Sequence, residues 1–203
     1  MVVMKSSNIK LLQTLRSLNK PYFTVADLEK VLGLKRDVLY VTLSRLVNNG
    51  TLIRLKKGIY QPEFQSLEIE KTANELYYPS YLSFESALSR YGILSQIPYT
   101  QTFATTKKSK KMILWETEVE FRQLKKDLFF GYKMEEGMYV AQPEKALLDQ
   151  LYMVARGKGS LNIKELDLKE VNKELFEQYA RRFPSYIKKL LNKVRIGFGV
   201  KSG

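Results

Sequence analysis

Apolar residues recur at helical spacing three times within the first fifty positions. Ile9, Leu12 and Leu15, widened by Leu11 and Leu18, predict a helix over about residues 8–18. Asn19, Lys20 and Pro21 break it. Thr24, with Asp27 three positions on, is a capping pair that opens a second helix. Its apolar face is Val25, Leu28, Val31 and Leu32, and Gly33 ends it in a left-handed turn. A third helix follows at once, over about residues 35–48, with Leu39, Leu43, Leu46 and Val47 on one side. Two helices joined by so short a turn must cross steeply, as in a helix-turn-helix. Residues 51–61, TLIRLKKGIYQ, then alternate: Leu52, Arg54 and Lys56 stand against Thr51, Ile53 and Leu55. Lys57 and Gly58 supply a tight turn, and Ile59 and Tyr60 return. Three helices and a basic-tipped hairpin predict a winged-helix domain over residues 1–62.

From residue 63 the pattern changes. Helical stretches are predicted over residues 67–77 and 83–90, the latter capped by Ser83 and stopped by Gly92. Runs rich in β-branched and aromatic residues over 99–106, 112–115, 119–124, 128–133 and 138–141 predict strands. Pro143 opens a helix, PEKALLDQLYMVAR, and two further helices are predicted over 168–182 and 184–195. Strands in the middle and helices outside predict a larger α+β domain over residues 63–203, a mainly antiparallel sheet flanked by helices. No low-complexity tract or repeat separates the two domains, so the join falls within residues 61–66.

Charge sharpens this division. The 203 residues carry 34 Lys and Arg against 21 Asp and Glu, a net charge of +13. Residues 1–62 hold 11 basic against 3 acidic residues, net +8, and residues 63–203 hold 23 against 18, net +5. A small, strongly basic unit beside a larger, milder one points to a polyanionic partner, nucleic acid before an anionic membrane surface. With Leu39, Leu43 and Leu46 inward, Lys35, Arg36, Tyr40, Ser44 and Arg45 are expected on the outer side of the third helix. Arg36 has the fork to pair with guanine in the major groove, and Tyr40 and Ser44 can hydrogen-bond bases or phosphates. Arg54, Lys56 and Lys57 on the wing are placed for phosphate or the minor groove. A solvated face on a protein-binding winged helix is the plainer alternative. The gathering of basic residues on helix and hairpin together favours double-stranded DNA.

The chain has no His and no Cys. That excludes disulfides, Cys/His zinc sites, cysteine nucleophiles and imidazole catalysis. No apolar run approaches the roughly 18–20 residues of a membrane span. The opening MVVMKSSN lacks the apolar stretch of a secretory signal, so a cytoplasmic protein is expected. Gly157 to Ser160, GKGS, has a phosphate-loop flavour but lacks the upstream glycine and the leading strand, and reads as a loop. Asp167 before Leu168 and Lys169 reads as a helix cap rather than a nuclease carboxylate. Glu116, Glu118 and Glu120 alternate on one strand face and read as solvated. No catalytic constellation, metal site or cofactor is expected. Lys107, Lys108, Lys110 and Lys111 form a cationic loop, read equally as a solubilising turn or as a contact for phosphate, RNA or an acidic partner.

Residues 81–94, YLSFESALSRYGIL, then Pro98 and TQTFATTKKSKK over 100–111, then AQPEKALLDQLYM over 141–153 resemble the AbiEi-type antitoxins of type IV toxin–antitoxin systems. The likeness covers nearly the whole chain, since that family also begins with a winged helix. Tyr91 departs from the histidine that many members carry. The resemblance implies a non-enzymatic repressor that binds inverted repeats in its promoter, as a dimer on DNA, and autoregulates its operon. It also implies that the protein counteracts a cognate nucleotidyltransferase-like toxin, with no stable complex required. The DNA role then falls on Lys35, Arg36, Tyr40, Ser44, Arg45, Arg54, Lys56 and Lys57. The antitoxin surface is assigned, from charge alone, to Lys107, Lys108, Lys110 and Lys111. Two other readings stay open: a regulator whose second domain senses a ligand or dimerises without any toxin, and a metal-dependent nuclease using Glu116, Glu118 or Asp167.

Overall fold

The structure is a computed structural model and describes residues 6–199. The opening residues MVVMK, read above for a leader, lie outside the described residues. The chain divides into two compact units, residues 1–72 with 113–116, and residues 73–112 with 117–203.

In the first unit, α1 (Ser6–Ser17) is followed by β1 (Phe23–Thr24), α2 (Val25–Leu32), α3 (Arg36–Asn48), β2 (Leu52–Lys56) and β3 (Ile59–Pro62). The α2 start is built as the sequence predicts. The Thr24 hydroxyl accepts from the Asp27 amide, and the Asp27 carboxylate accepts from the Thr24 amide. Gly33 closes α2 in the left-handed region, at φ 63°. Leu11, Leu15, Phe23, Leu28, Leu39, Leu43, Leu46, Leu52 and Tyr60 form one buried core, so all three helices and the hairpin share it.

The hairpin carries a third strand that alternation alone does not show. β1 pairs antiparallel with β3, Phe23 opposite Tyr60, giving the sheet order β1-β3-β2. A register shift between Arg54 and Lys56 breaks the β2 alternation, and Leu52 and Leu55 are both buried. A bulge adds one residue to the strand and so turns the next side chain to the other face.

The second unit is α+β, as predicted. Its sheet consists of β4 (Ser80–Leu82), β5 (Thr100–Thr105), β6 (Lys110–Leu114), β7 (Thr117–Gln123), β8 (Tyr132–Glu135) and β9 (Met138–Ala141), in the order β6-β7-β5-β4-β9-β8. The sheet is mixed. β4–β5 and β8–β9 are antiparallel, whereas β5–β7 and β4–β9 are parallel. The predicted strand over 128–133 starts later, because Gly131 at φ 69° separates a short 3-10 turn, Lys126–Leu128, from β8.

Around the sheet lie α4 (Ile69–Leu76), within which the two units divide, and α5 (Phe84–Arg90), α6 (Pro143–Ala155), α7 (Lys173–Ala180) and α8 (Lys188–Gly197). α6 is buried on all sides from Glu144 to Met153 and anchors the core. After α6, the Gly157 amide donates to the Val154 carbonyl and the Lys158 amide to Met153. The GKGS stretch is therefore a helix stop. α7 is shorter than predicted: Asn172 caps it, its side chain accepting from the Leu175 amide.

Candidate nucleic-acid interface

α3 starts at Arg36 with Lys35 as its flanking residue, and no side chain caps its first turn. The free amides and the positive end of the helix dipole thus stand beside two cations, an arrangement that attracts phosphate. Leu39, Leu43 and Leu46 are buried, which at 3.6 residues per turn makes Asp37, Val41, Ser44 and Asn48 the outermost ridge. Arg36 and Tyr40 flank the ridge on one side, Val38 and Arg45 on the other. All five residues assigned to this helix from the sequence, Lys35, Arg36, Tyr40, Ser44 and Arg45, are exposed. Val38 is 50% exposed and Val41 53%, and sequence reasoning passed over both. The signal was present: counting three and four from the buried leucines leaves both valines off the core face.

On the wing, Arg54 and Lys57 are exposed and Lys56 is half-buried. Gly58 sits at φ 82°, the conformation a tight turn demands, and its carbonyl accepts from the Val25 amide, tying the wing to α2. Lys35, Arg36, Arg45, Arg54, Lys56 and Lys57 make no ion pair with any described residue. Lys20, by contrast, is paired with Asp27 at 2.8 Å. Lys10, Arg16 and Lys30, on α1 and α2, are likewise exposed without an ion pair among the described residues, but α3 with its flanking Lys35 and the hairpin together carry six unpaired cations.

The lysine loop of the second unit is less uniform. The ammonium groups of Lys107 and Lys110 lie 5.3 and 5.1 Å from the centre of the Tyr77 ring. The Tyr77 hydroxyl donates to the Lys108 carbonyl at 2.8 Å. Lys111 pairs with Glu118 at 3.2 Å and Glu120 at 3.9 Å, and the Glu118 hydrogen bond, with both carboxylates, raises its pKa. Glu118 and Glu120 thus have a cation at hand, and Glu116 lies beyond the strand in the turn. Among the described residues no group of three or more acidic residues is placed to hold a metal ion. Asp167 accepts from the Lys169 amide in a local turn that precedes α7.

Sequence reasoning missed a buried polar cluster in the same unit. Lys145 and Asp149, one turn apart on α6, are paired with no solvent exposure. The Lys145 ammonium also donates to the Tyr81 hydroxyl at 2.9 Å. The Tyr81 and Ser83 hydroxyls each donate to Asp149 at 2.9 Å. Burial pushes the Lys145 ammonium down and the Asp149 carboxyl up, each toward its neutral form, and their mutual attraction opposes both shifts. Glu144 accepts from the Asn172 amide at 2.7 Å. The PEKALLD stretch therefore holds the unit together. The signal was a Lys and an Asp four apart inside an otherwise apolar helix. Tyr91 has a structural place as well: its hydroxyl donates to the Ala141 carbonyl at 3.0 Å, and burial beside Glu135 raises its pKa to about 12.

No curated protein matches the chain in sequence. A crystal structure of the RV2827C protein from Mycobacterium tuberculosis matches it in fold, with a TM-score of 0.63 and 14% identity, over 95% of this chain and 78% of that one. At that identity the likeness is one of fold. Residues 10–62 match the family described as "Transcriptional regulator, AbiEi antitoxin", and the match spans the shared core of α1, α2, α3 and the wing. The N-terminal segment of this chain, about a quarter of its length, is thus similar to that of the AbiEi antitoxin transcriptional regulators.

Proposed function

We propose that the protein is a cytoplasmic DNA-binding repressor and antitoxin, which autoregulates its operon and counteracts a nucleotidyltransferase-like toxin. In this reading residues 1–62 read inverted repeats in the promoter, one copy per half-site, and residues 63–203 carry the antitoxin activity. The carrying observation is a coincidence: the family match over residues 10–62 falls on the unit in which α3, with Lys35 before it, and the wing carry six cations without an ion pair among the described residues. Arg36, Tyr40 and Ser44 face the bases, with Lys35 and Arg45 at the ends of the helix. Arg54, Lys56 and Lys57 take phosphates beside the site. No catalytic step is assigned to the protein.

The test is binding of the purified chain to a labelled fragment of its own promoter, at two salt concentrations and against excess random DNA. Binding that falls with salt yet survives the competitor supports the repressor. Binding lost equally to random DNA leaves only a basic surface and sinks it. For the antitoxin half, Lys107, Lys108, Lys110 and Lys111 are changed together to alanine in cells that express the toxin. Loss of growth rescue with promoter binding intact supports their role, and full rescue removes them from it.

A further inference from the structure

α3 carries an apolar feature that its fold does not use. Val38 and Val41 stand one turn apart on the outer side of the helix, about half exposed each, and belong to neither the buried core nor its partly buried margin. A β-branched residue on an exposed helix face is a poor choice for solubility and for helix propensity alike. The surroundings of these two valines restrict what can cover them. Arg45 follows Val41 by one turn, Lys35 and Arg36 precede Val38, and none of the three cations has an ion-pair partner among the described residues. An apolar protein partner would have to bury those charges without compensation, whereas a nucleic acid supplies phosphates on both sides of the strip.

Inside a DNA groove the apolar group that meets such a strip is the thymine 5-methyl, which only A·T pairs present, and only in the major groove. We infer that Val38 and Val41 are specificity-determining residues that contact thymine methyl groups in the operator. They make the protein select A·T pairs at the positions under the first two turns of α3, while Arg36, on the other flank of the ridge, selects guanine. This rests on the DNA-binding reading above and adds to it which bases the helix reads. Asp37, on the outer ridge with Val41 and next to Val38, repels phosphate, and so the ridge is suited to base edges rather than to the backbone.

The experiment uses the full chain and the promoter duplex that it protects from nuclease digestion. Each thymine in the protected half-site is replaced singly by deoxyuridine, which removes the methyl and keeps the pairing. The expected result is one or two positions where the replacement weakens binding about fourfold, the worth of one methyl group removed from water. In V38A or V41A the loss at the matching position disappears, because the partner of that methyl is already gone. Alanine is the better helix former and both sites are exposed, so these variants keep their fold, and circular dichroism checks that they do. If deoxyuridine is tolerated throughout, or if its cost is the same in both variants as in the parent, the inference falls while the repressor reading stands. If no duplex is bound selectively in the first place, the repressor reading falls and takes the inference with it.

Discussion

Lys145 and Lys57 carry the same charge into opposite surroundings. Lys145 lies inside the second unit, paired with Asp149, hydrogen-bonded to Tyr81 and flanked by the rings of Phe130 and Phe183 at 5.1 and 5.2 Å. Lys57 lies at the tip of the wing, exposed and without an ion pair among the described residues. A charge enclosed by partners is spent on one arrangement of the core. A charge left open projects its field outward, where only another molecule can answer it. Arg122, bound to Glu85 at 2.7 Å and Glu120 at 2.9 Å, and Arg195, bound to Glu177 at 2.7 Å, side with Lys145. Arg36, Arg45 and Arg54 side with Lys57. Net charge alone does not separate these groups; their partners do.

The largest break of this comparison is Lys145→Met. The methionine keeps the length of the side chain and strands the Asp149 carboxylate in the core, which costs about 3–5 kcal/mol for a buried pair that loses one member. Urea unfolding measures it. Adding Asp149→Leu to the same chain should recover part of the loss, since the stranded charge goes with it. A loss under about 1 kcal/mol in the single variant would mean that the pair is not closed to water. The converse is Arg36→Ala. Unfolding should shift by no more than about 0.5 kcal/mol, as for an exposed residue. Binding to the promoter should weaken by about 1–3 kcal/mol, as for an arginine that reads a base, with a smaller loss on random DNA. Equal losses on both would make Arg36 a phosphate contact.

The two units also differ in how legible they were. In the first, each signal is local. Thr24 and Asp27 are three residues apart and make the cap that their spacing predicts. Leu39, Leu43 and Leu46 sit one turn from one another and face one core. What escaped was non-local: β1 has two residues, too few to alternate, and exists because Phe23 finds Tyr60. The bulge that buries Leu55 likewise depends on pairing across the hairpin. In the second unit most of the organisation is of this kind. β4 has three residues and is held by Thr105, Ala104 and Phe103, more than twenty positions away. The parallel pairings β5–β7 and β4–β9 follow from connections that no periodicity records. Tyr81 and Ser83 meet Asp149 across more than sixty residues. Of the proposed recognition surface, the cations were visible from the sequence. Val38 and Val41 were not, because two valines in an amphipathic helix look like core residues until the core that excludes them is known.

A smaller effect separates an ion pair that holds a helix end from the open charges nearby. Burial opposes ionisation of Asp27, but hydrogen bonds from Lys20 and Thr24 outweigh it and hold its carboxyl at about 2, below its ordinary 3.8. A carboxyl depressed in the folded state stabilises above its unfolded value and loses that contribution as pH falls. The stabilisation from Asp27 should therefore be complete above about pH 4 and fade between about pH 4 and pH 2. Asp27→Ala should cost about 1 kcal/mol at neutral pH, the usual worth of a helix cap, and clearly less near pH 2, where the folded-state carboxyl is half protonated. Its side chain is partly solvated, so the whole pKa shift does not appear as stability. An equal cost at both pH values would assign the loss to packing rather than to the charge.

The finest distinction is between two exposed lysines, Lys57 and Lys111. Both are surface cations, but Lys111 already faces Glu118 and Glu120, so its field is largely cancelled on the protein itself. In the repressor reading Lys57 neutralises a phosphate, and binding releases the counterion that the phosphate held. Lys57→Ala should then weaken binding to every DNA sequence alike and flatten the dependence of log affinity on log salt by about one. Lys111→Ala should leave that slope where it was. Should both variants flatten it equally, pairing on the protein would not decide which charges the DNA meets. Should neither do so, the wing would lie off the DNA, and α3 alone would carry the contact.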